Sequence, residues 1–157
     1  MRVFLLLVIF ISLSCGVVQA TDNSMSITIP VFTRHFPHSN LGLNEHNRGF
    51  GLEYILRKDV ALTTGLFNNS LRNDTFYVGV QYTPFRVLGL HAGVVVGLDL
   101  NGGYNSANPF KPVIGALHFA TGNESPIGFN IDILPSGGYT NGDGVYGAAA
   151  VSMKYSF

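Results

Sequence analysis

The residues of this chain that could do acid–base or nucleophilic chemistry are few and grouped. His35, His38 and His46 lie in one stretch, with Glu45 beside the last of them. An imidazole titrates near neutral pH, so it can take a proton from a hydroxyl group. Glu45 could pair with His35, His38 or His46. A second polar group, Asn68-Asn69-Ser70, carries a hydroxyl that could hold an oxyanion or, once activated, act as a nucleophile. The same three residues read equally well as turn chemistry ahead of Asp74, and the histidines as polar residues at a strand end. His35, His38, Glu45 and His46 lack compact ligand spacing, so no metal is expected, and neither is a cofactor. The one cysteine, Cys15, lies near the start of the chain.

The elements that must position these groups read as β-strands. In Val145–Phe157, the residues Val145, Gly147, Ala149, Val151, Met153, Tyr155 and Phe157 share one face, and small or polar residues occupy the other. An apolar face ending in an aromatic pair suits the closing strand of an outer-membrane barrel, with the apolar face toward lipid and the polar face toward the lumen. Eight such strands are expected, over Ser26–Phe36, Arg48–Arg57, Val60–Asn68, Thr75–Thr83, Leu88–Leu98, Lys111–Phe119, Ile127–Leu134 and Val145–Phe157. Connections after the odd strands are long and polar, and those after the even strands are mostly short. That asymmetry predicts an antiparallel eight-stranded transmembrane barrel, all-β, with long loops outside and tight periplasmic turns.

Composition agrees with this reading. Only 11% of the chain is charged, while it holds 19 glycines, 12 Phe and 7 Tyr. Residues 1–20 read as a secretory signal: Arg2, an apolar run from Val3 to Ile11, and small residues at Val18-Gln19-Ala20. Cleavage there leaves residues 21–157 as a single barrel domain and removes Cys15, unless Cys15 is lipidated and retained. The charge balance, 9 basic against 9 acidic residues, argues against a nucleic-acid partner.

Loops after odd strands converge at one end, which brings His35 and His38 toward Asn69 and Ser70. Toward that end the lumen face carries Gly49, Gly51, Gly65, Phe67, Tyr77, Gly79, Val95, Gly97, Tyr146 and Ala148. Toward the other end it carries Glu53, Gln81, His91, Ser152 and Lys154. This predicts a polar plug below and room for an apolar guest above, although the glycines equally suit strand coiling.

A series of short motifs then resembles one family. Ile29-Pro30-Val31-Phe32-Thr33-Arg34-His35, Asn44-Glu45, Gly49-Phe50-Gly51-Leu52, Leu66-Phe67-Asn68-Asn69-Ser70, Leu90-His91-Ala92-Gly93 and Leu134-Pro135 fall in the order found in the lipid A palmitoyltransferase (PagP-type) family of outer-membrane barrels. The resemblance runs loosely through nearly all of residues 21–157. It implies transfer of an acyl chain from a phospholipid donor to lipid A, with His35 and Ser70 at the family's catalytic His and Ser. Asn69 stands where the family has Asp, so nothing at that position can carry the charge that would stabilise an imidazolium. Glu45 could supply the missing carboxylate. The resemblance also implies lateral entry of a lipid tail where prolines interrupt pairing, and Pro30 and Pro112, inside predicted strands, are the candidates.

Implied partners are membrane lipids and the outer-membrane insertion machinery, in the outer membrane of a Gram-negative bacterium. Two other readings stay open: a lipid A deacylase or phospholipase, and a barrel without catalysis used for surface interaction or lipid binding.

Overall fold

The computed structural model describes residues 24–36, 42–104, 110–122, 125–138 and 145–157, with the backbone alone for 135–138 and 145–146. The expected signal and Cys15 therefore lie outside the described residues. Eight strands follow one another: β1 (Met25–Phe36), β2 (Gly49–Arg57), β3 (Val60–Asn68), β4 (Asp74–Val87), β5 (Leu90–Asp99), β6 (Val113–Ala120), β7 (Ile127–Gly138) and β8 (Val145–Ser156). Each pairs antiparallel with the next, and β8 closes on β1. The protein is a closed, eight-stranded, antiparallel β-barrel.

The period-2 alternation sorts side chains to the two surfaces. Phe50, Leu52, Phe76, Val78, Val80, Ile127, Met153, Tyr155 and Phe157 are exposed on the outside. Ser26, Thr28, Glu53, Thr63, Gln81, His118, Asn130 and Lys154 are buried inside. A soluble protein would show the reverse, whereas a membrane-spanning barrel requires it. Tyr155 and Phe157 stack with ring centroids 6.3 Å apart at the turn end, as an interfacial girdle does.

Several boundaries differ from the sequence reading, among them the end of β7, which runs on to Gly138 past a register irregularity between Leu134 and Gly137. β4 runs on to Val87, because a register irregularity between Tyr82 and Phe85 absorbs Pro84. The following turn is the pair Leu88-Gly89, with φ of 52° and 82°, the left-handed pair that a two-residue hairpin needs. β6 begins at Val113, so Pro112 lies ahead of the strand and not inside it. There its carbonyl accepts a hydrogen bond from the Asp99 N–H at 2.8 Å.

The ladder is complete at most interfaces and short at two. β1 and β2 pair from Met25↔Tyr54 to Thr28↔Gly51, and β6 and β7 from Leu117↔Ile133 to Ala120↔Asn130. Both short ladders lie in the turn-end half. Above them, among the described residues, neighbouring strands run on without pairing, which leaves two seams in the loop-end half of the wall.

Candidate active site at the loop end of the lumen

His35 faces the lumen because β1 contains one extra residue. From Ser26 and Thr28, simple alternation would put Phe32 and Arg34 inside and His35 outside. The pairing with β8 instead steps from Pro30↔Ser152 to Phe32↔Val151, leaving Val31 unmatched. One unmatched residue turns the rest of the strand over. Thr33 and His35 are consequently buried, while Val31, Phe32 and Arg34 are exposed. Pro30 sits at this irregularity, where its missing N–H leaves no gap in the ladder to fill.

Loops one and two bring partners to both ring nitrogens. His35 Nε2 and Ser70 Oγ are hydrogen-bonded at 2.8 Å. On the other side, Glu45 Oε1 lies 3.7 Å from Nδ1, a buried atom with no hydrogen-bond partner. Glu45 is itself held in place. Its Oε1 accepts the His35 backbone N–H at 3.4 Å, and its Oε2 accepts from Arg34 Nη1 at 3.1 Å. The His35 N–H holds the Glu45 carboxyl below its ordinary value; partial desolvation opposes this and the Arg34 guanidinium reinforces it. A carboxylate therefore faces the imidazole at neutral pH. An approach of roughly half an ångström would complete the hydrogen bond.

The returning arm of loop one, residues 42–48, is docked by its backbone. Thr33 N donates to Glu45 O at 2.8 Å, and Asn44 N to Ser70 O at 2.9 Å. Asn47 Nδ2 donates to Asn68 O at 2.8 Å. The arm thus fills the rim above the β1–β2 seam and fixes Glu45 and Ser70 relative to each other.

Asn69 is not directed at the imidazole. It is fully buried, and its Nδ2 donates to Thr75 Oγ1 and to Gly103 O, each at 2.9 Å. Its Oδ1 accepts the backbone N–H groups of Leu71 and Asn73. Each of these bonds shapes loop two or ties it to β4 or loop three, so Asn69 positions Ser70 and does not relay charge. His46 is exposed, and His38 lies outside the described residues.

Below the pair, a cavity of about 160 Å³ occupies the lumen, and Ser70 lies on its wall. Of the expected lining, Gly51, Phe67, Tyr77, Val95, Gly97 and Ala148 border it. Gly49, Gly65 and Gly79 do not. Gly65 and Gly79 face Gly51 and Gly97 across the ladder, and a Cβ at Gly79 would meet Val96 O at 2.6 Å. These glycine pairs let adjacent strands approach and coil, which is the alternative that composition left open. Tyr146 is in β8, but its side chain lies outside what is described.

The cavity reaches both seams, touching Pro30, Phe32 and Phe50 at one, and Ile114, Gly115, Ala116 and Leu134 at the other. Pro112 does not border it.

No protein family matches this chain, and none of the curated proteins does. Among solved structures, a chain from "De novo design of transmembrane beta-barrels" is similar, at a TM-score of 0.56 and 11% identity. The match covers 88% of this chain and 98% of that one. At that identity the likeness concerns the fold alone.

Sequence reasoning missed the cavity floor on β6 and β7. His118 Nδ1 and Asp132 Oδ1 are 2.7 Å apart, and Asn130 Nδ2 donates to Glu53 Oε1, which also accepts from Gln81 Nε2 at 3.0 Å. The signal was available: Asn130 and Asp132 alternate with the outward Phe129, Ile131 and Ile133.

Proposed function

We propose that this chain is an outer-membrane acyltransferase that moves an acyl chain from a glycerophospholipid to lipid A. The observation that carries the reading is the Ser70–His35–Glu45 line, with its 2.8 Å and 3.7 Å spacings, at the mouth of a lumen cavity that reaches two seams. A soluble esterase has no use for gaps in strand pairing on a lipid-facing wall, whereas an enzyme drawing on a membrane lipid does. The motif order shared with the lipid A palmitoyltransferase (PagP-type) family supplies the donor and acceptor classes.

In the proposed reaction His35 Nε2 takes the Ser70 hydroxyl proton as Oγ attacks the ester carbonyl of the phospholipid. The ester C–O bond breaks, and the leaving alkoxide of the lysophospholipid takes the proton back from the imidazolium. A hydroxyl of lipid A then repeats the sequence on the acyl-Ser70 ester, restoring free Ser70. Glu45 stabilises the imidazolium in both halves, the role that the family assigns to the Asp replaced here by Asn69.

The reading also carries export by residues 1–20 and placement by the outer-membrane insertion machinery, with the loop end outside. Mass spectrometry of lipid A and phospholipids from Gram-negative cells making wild type, His35→Ala or Ser70→Ala tests it. Lipid A gaining one acyl chain with the wild type only is the expected result. Lysophospholipid without acylated lipid A would mean a phospholipase, and lipid A losing a chain would mean a deacylase. A folded barrel that changes no lipid would leave a non-catalytic role.

A further inference from the structure

The floor of the lumen cavity carries an acceptor with nothing to accept. Asn130 is 3% exposed, and its Oδ1 is buried without a hydrogen-bond partner. The amide orientation is set by its neighbour: Nδ2 donates to Glu53 Oε1, and a flipped amide would press oxygen against carboxylate. The two carboxylates of the floor are engaged. Glu53 accepts from Gln81 and Asn130, and Asp132 is bonded to His118. Above the floor the wall is largely apolar, with Phe67, Val95, Ile114, Ala116, Leu134 and Ala150. A plain hydrocarbon tail reaching the floor would leave the Asn130 oxygen buried and dry, and a buried polar group is normally satisfied.

We infer that the cavity takes an acyl chain bearing a hydroxyl group toward its buried end, which donates to Asn130 Oδ1. A hydroxyl is preferred to an ammonium because the open acceptor is a neutral amide oxygen, and a cation would have to shed its water in an enclosed site. Position gives a rough length. In the ladders Leu134 and His35 stand opposite the same residue, Ala148, and Asn130 is four residues further down β7. That is about 14 Å of strand at about 3.4 Å per residue, enough for a medium-length chain between rim and floor.

The inference concerns the acyl pocket of the proposed transferase, but binding tests it without turnover. The protein in lipid nanodiscs is titrated with medium-chain fatty acids and their ω-hydroxy counterparts of equal length, and binding is followed by calorimetry and by the ¹⁵N-resolved Asn130 side-chain amide. At one chain length the hydroxy acid should bind about tenfold tighter, the scale of one hydrogen bond, and should shift the Asn130 amide. Asn130→Leu should erase the preference while both acids still bind. Ser70→Ala should keep it, so a failed transfer reaction and a failed pocket give different results. Should Asn130→Leu not fold, Ala150→Leu, which narrows the cavity above the floor, should weaken both acids together. Equal affinities at every length with an unmoved Asn130 amide would overturn the inference, as would tighter binding of the ω-amino acids.

Discussion

In the turn-end half of the barrel, Glu53, Gln81 and Asn130 form one network, His118 meets Asp132, and Lys154 Nζ reaches Thr121 O at 2.7 Å. In the loop-end half two ladders stop, β1 carries an unmatched residue, and His35 Nδ1 is buried without a hydrogen bond. The same strands build both halves. Where every strand is paired and the polar groups bond to one another, Asn130 Oδ1 at the cavity floor excepted, the lumen is a plug that holds the wall together. Where pairing lapses and His35 Nδ1 waits beside Glu45, local rules are broken at the rim, where the proposed chemistry would need them broken. The contrast locates the site without reference to any relative.

The largest effect should come from His35→Ala. Loss of the imidazole removes the general base, so acyl transfer should fall about 10³-fold, whereas deleting the unmatched Val31 should cost far less, because His35 then still pairs with Ala148 and faces the lumen. Heat-modifiable migration on gels should show a barrel still closed, since the Ser26–Pro30 pairing with β8 is untouched.

A disulfide across each half sharpens the comparison. Joining Ala116→Cys to Leu134→Cys would close the β6–β7 seam and should slow transfer roughly tenfold or more, reversibly with reductant. The matching bridge lower down, Phe119→Cys with Ile131→Cys, joins residues already paired and should leave transfer unchanged.

Glu45→Gln should slow transfer about 10²-fold, a smaller loss than that of His35 itself, because the neutral amide orients the ring but no longer stabilises its cation. The pH dependence has a definite sign. The folded carboxyl titrates below its unfolded value of about 4.3, so its contribution to docking loop one is full above that value and is lost as pH falls through the lower folded one. Amide exchange in residues 42–48 should therefore rise in the acid range below about pH 4 in the wild type, and the Gln variant should show no such step.

Asn69→Asp should have the smallest effect on turnover. The substitution places an acceptor against Gly103 O and removes both Nδ2 bonds, costing about 1–3 kcal/mol in urea unfolding with no gain in rate. A large gain in rate would mean that the carboxylate at position 69 reaches His35 after all.

Much of the fold was legible because alternation is a local property. Phe76, Val78, Val80 and Tyr82 point outward in the structure as their spacing implies, and loop lengths separate the two ends. Proximity of His35 to Ser70 followed from topology alone. What pattern could not carry was relation between strands. Nothing local marks Val31 as unmatched, since that depends on how β8 registers against β1. The commitment of Asn69 to Gly103 crosses from loop two to loop three, and the Arg34–Glu45 contact depends on the path of loop one back over the rim. The seams are absences of pairing, invisible to a reading made strand by strand, and so Pro112 was placed inside a strand that begins after it.

The most direct test of the Ser70–His35–Glu45 assignment is the intact mass of the reconstituted protein, quenched during turnover with a phospholipid donor and no acceptor. The account predicts an added mass of one acyl group, mapped to Ser70, absent in Ser70→Ala and slow to form in His35→Ala. Transfer at the wild-type rate by the Ser70→Ala protein would contradict it.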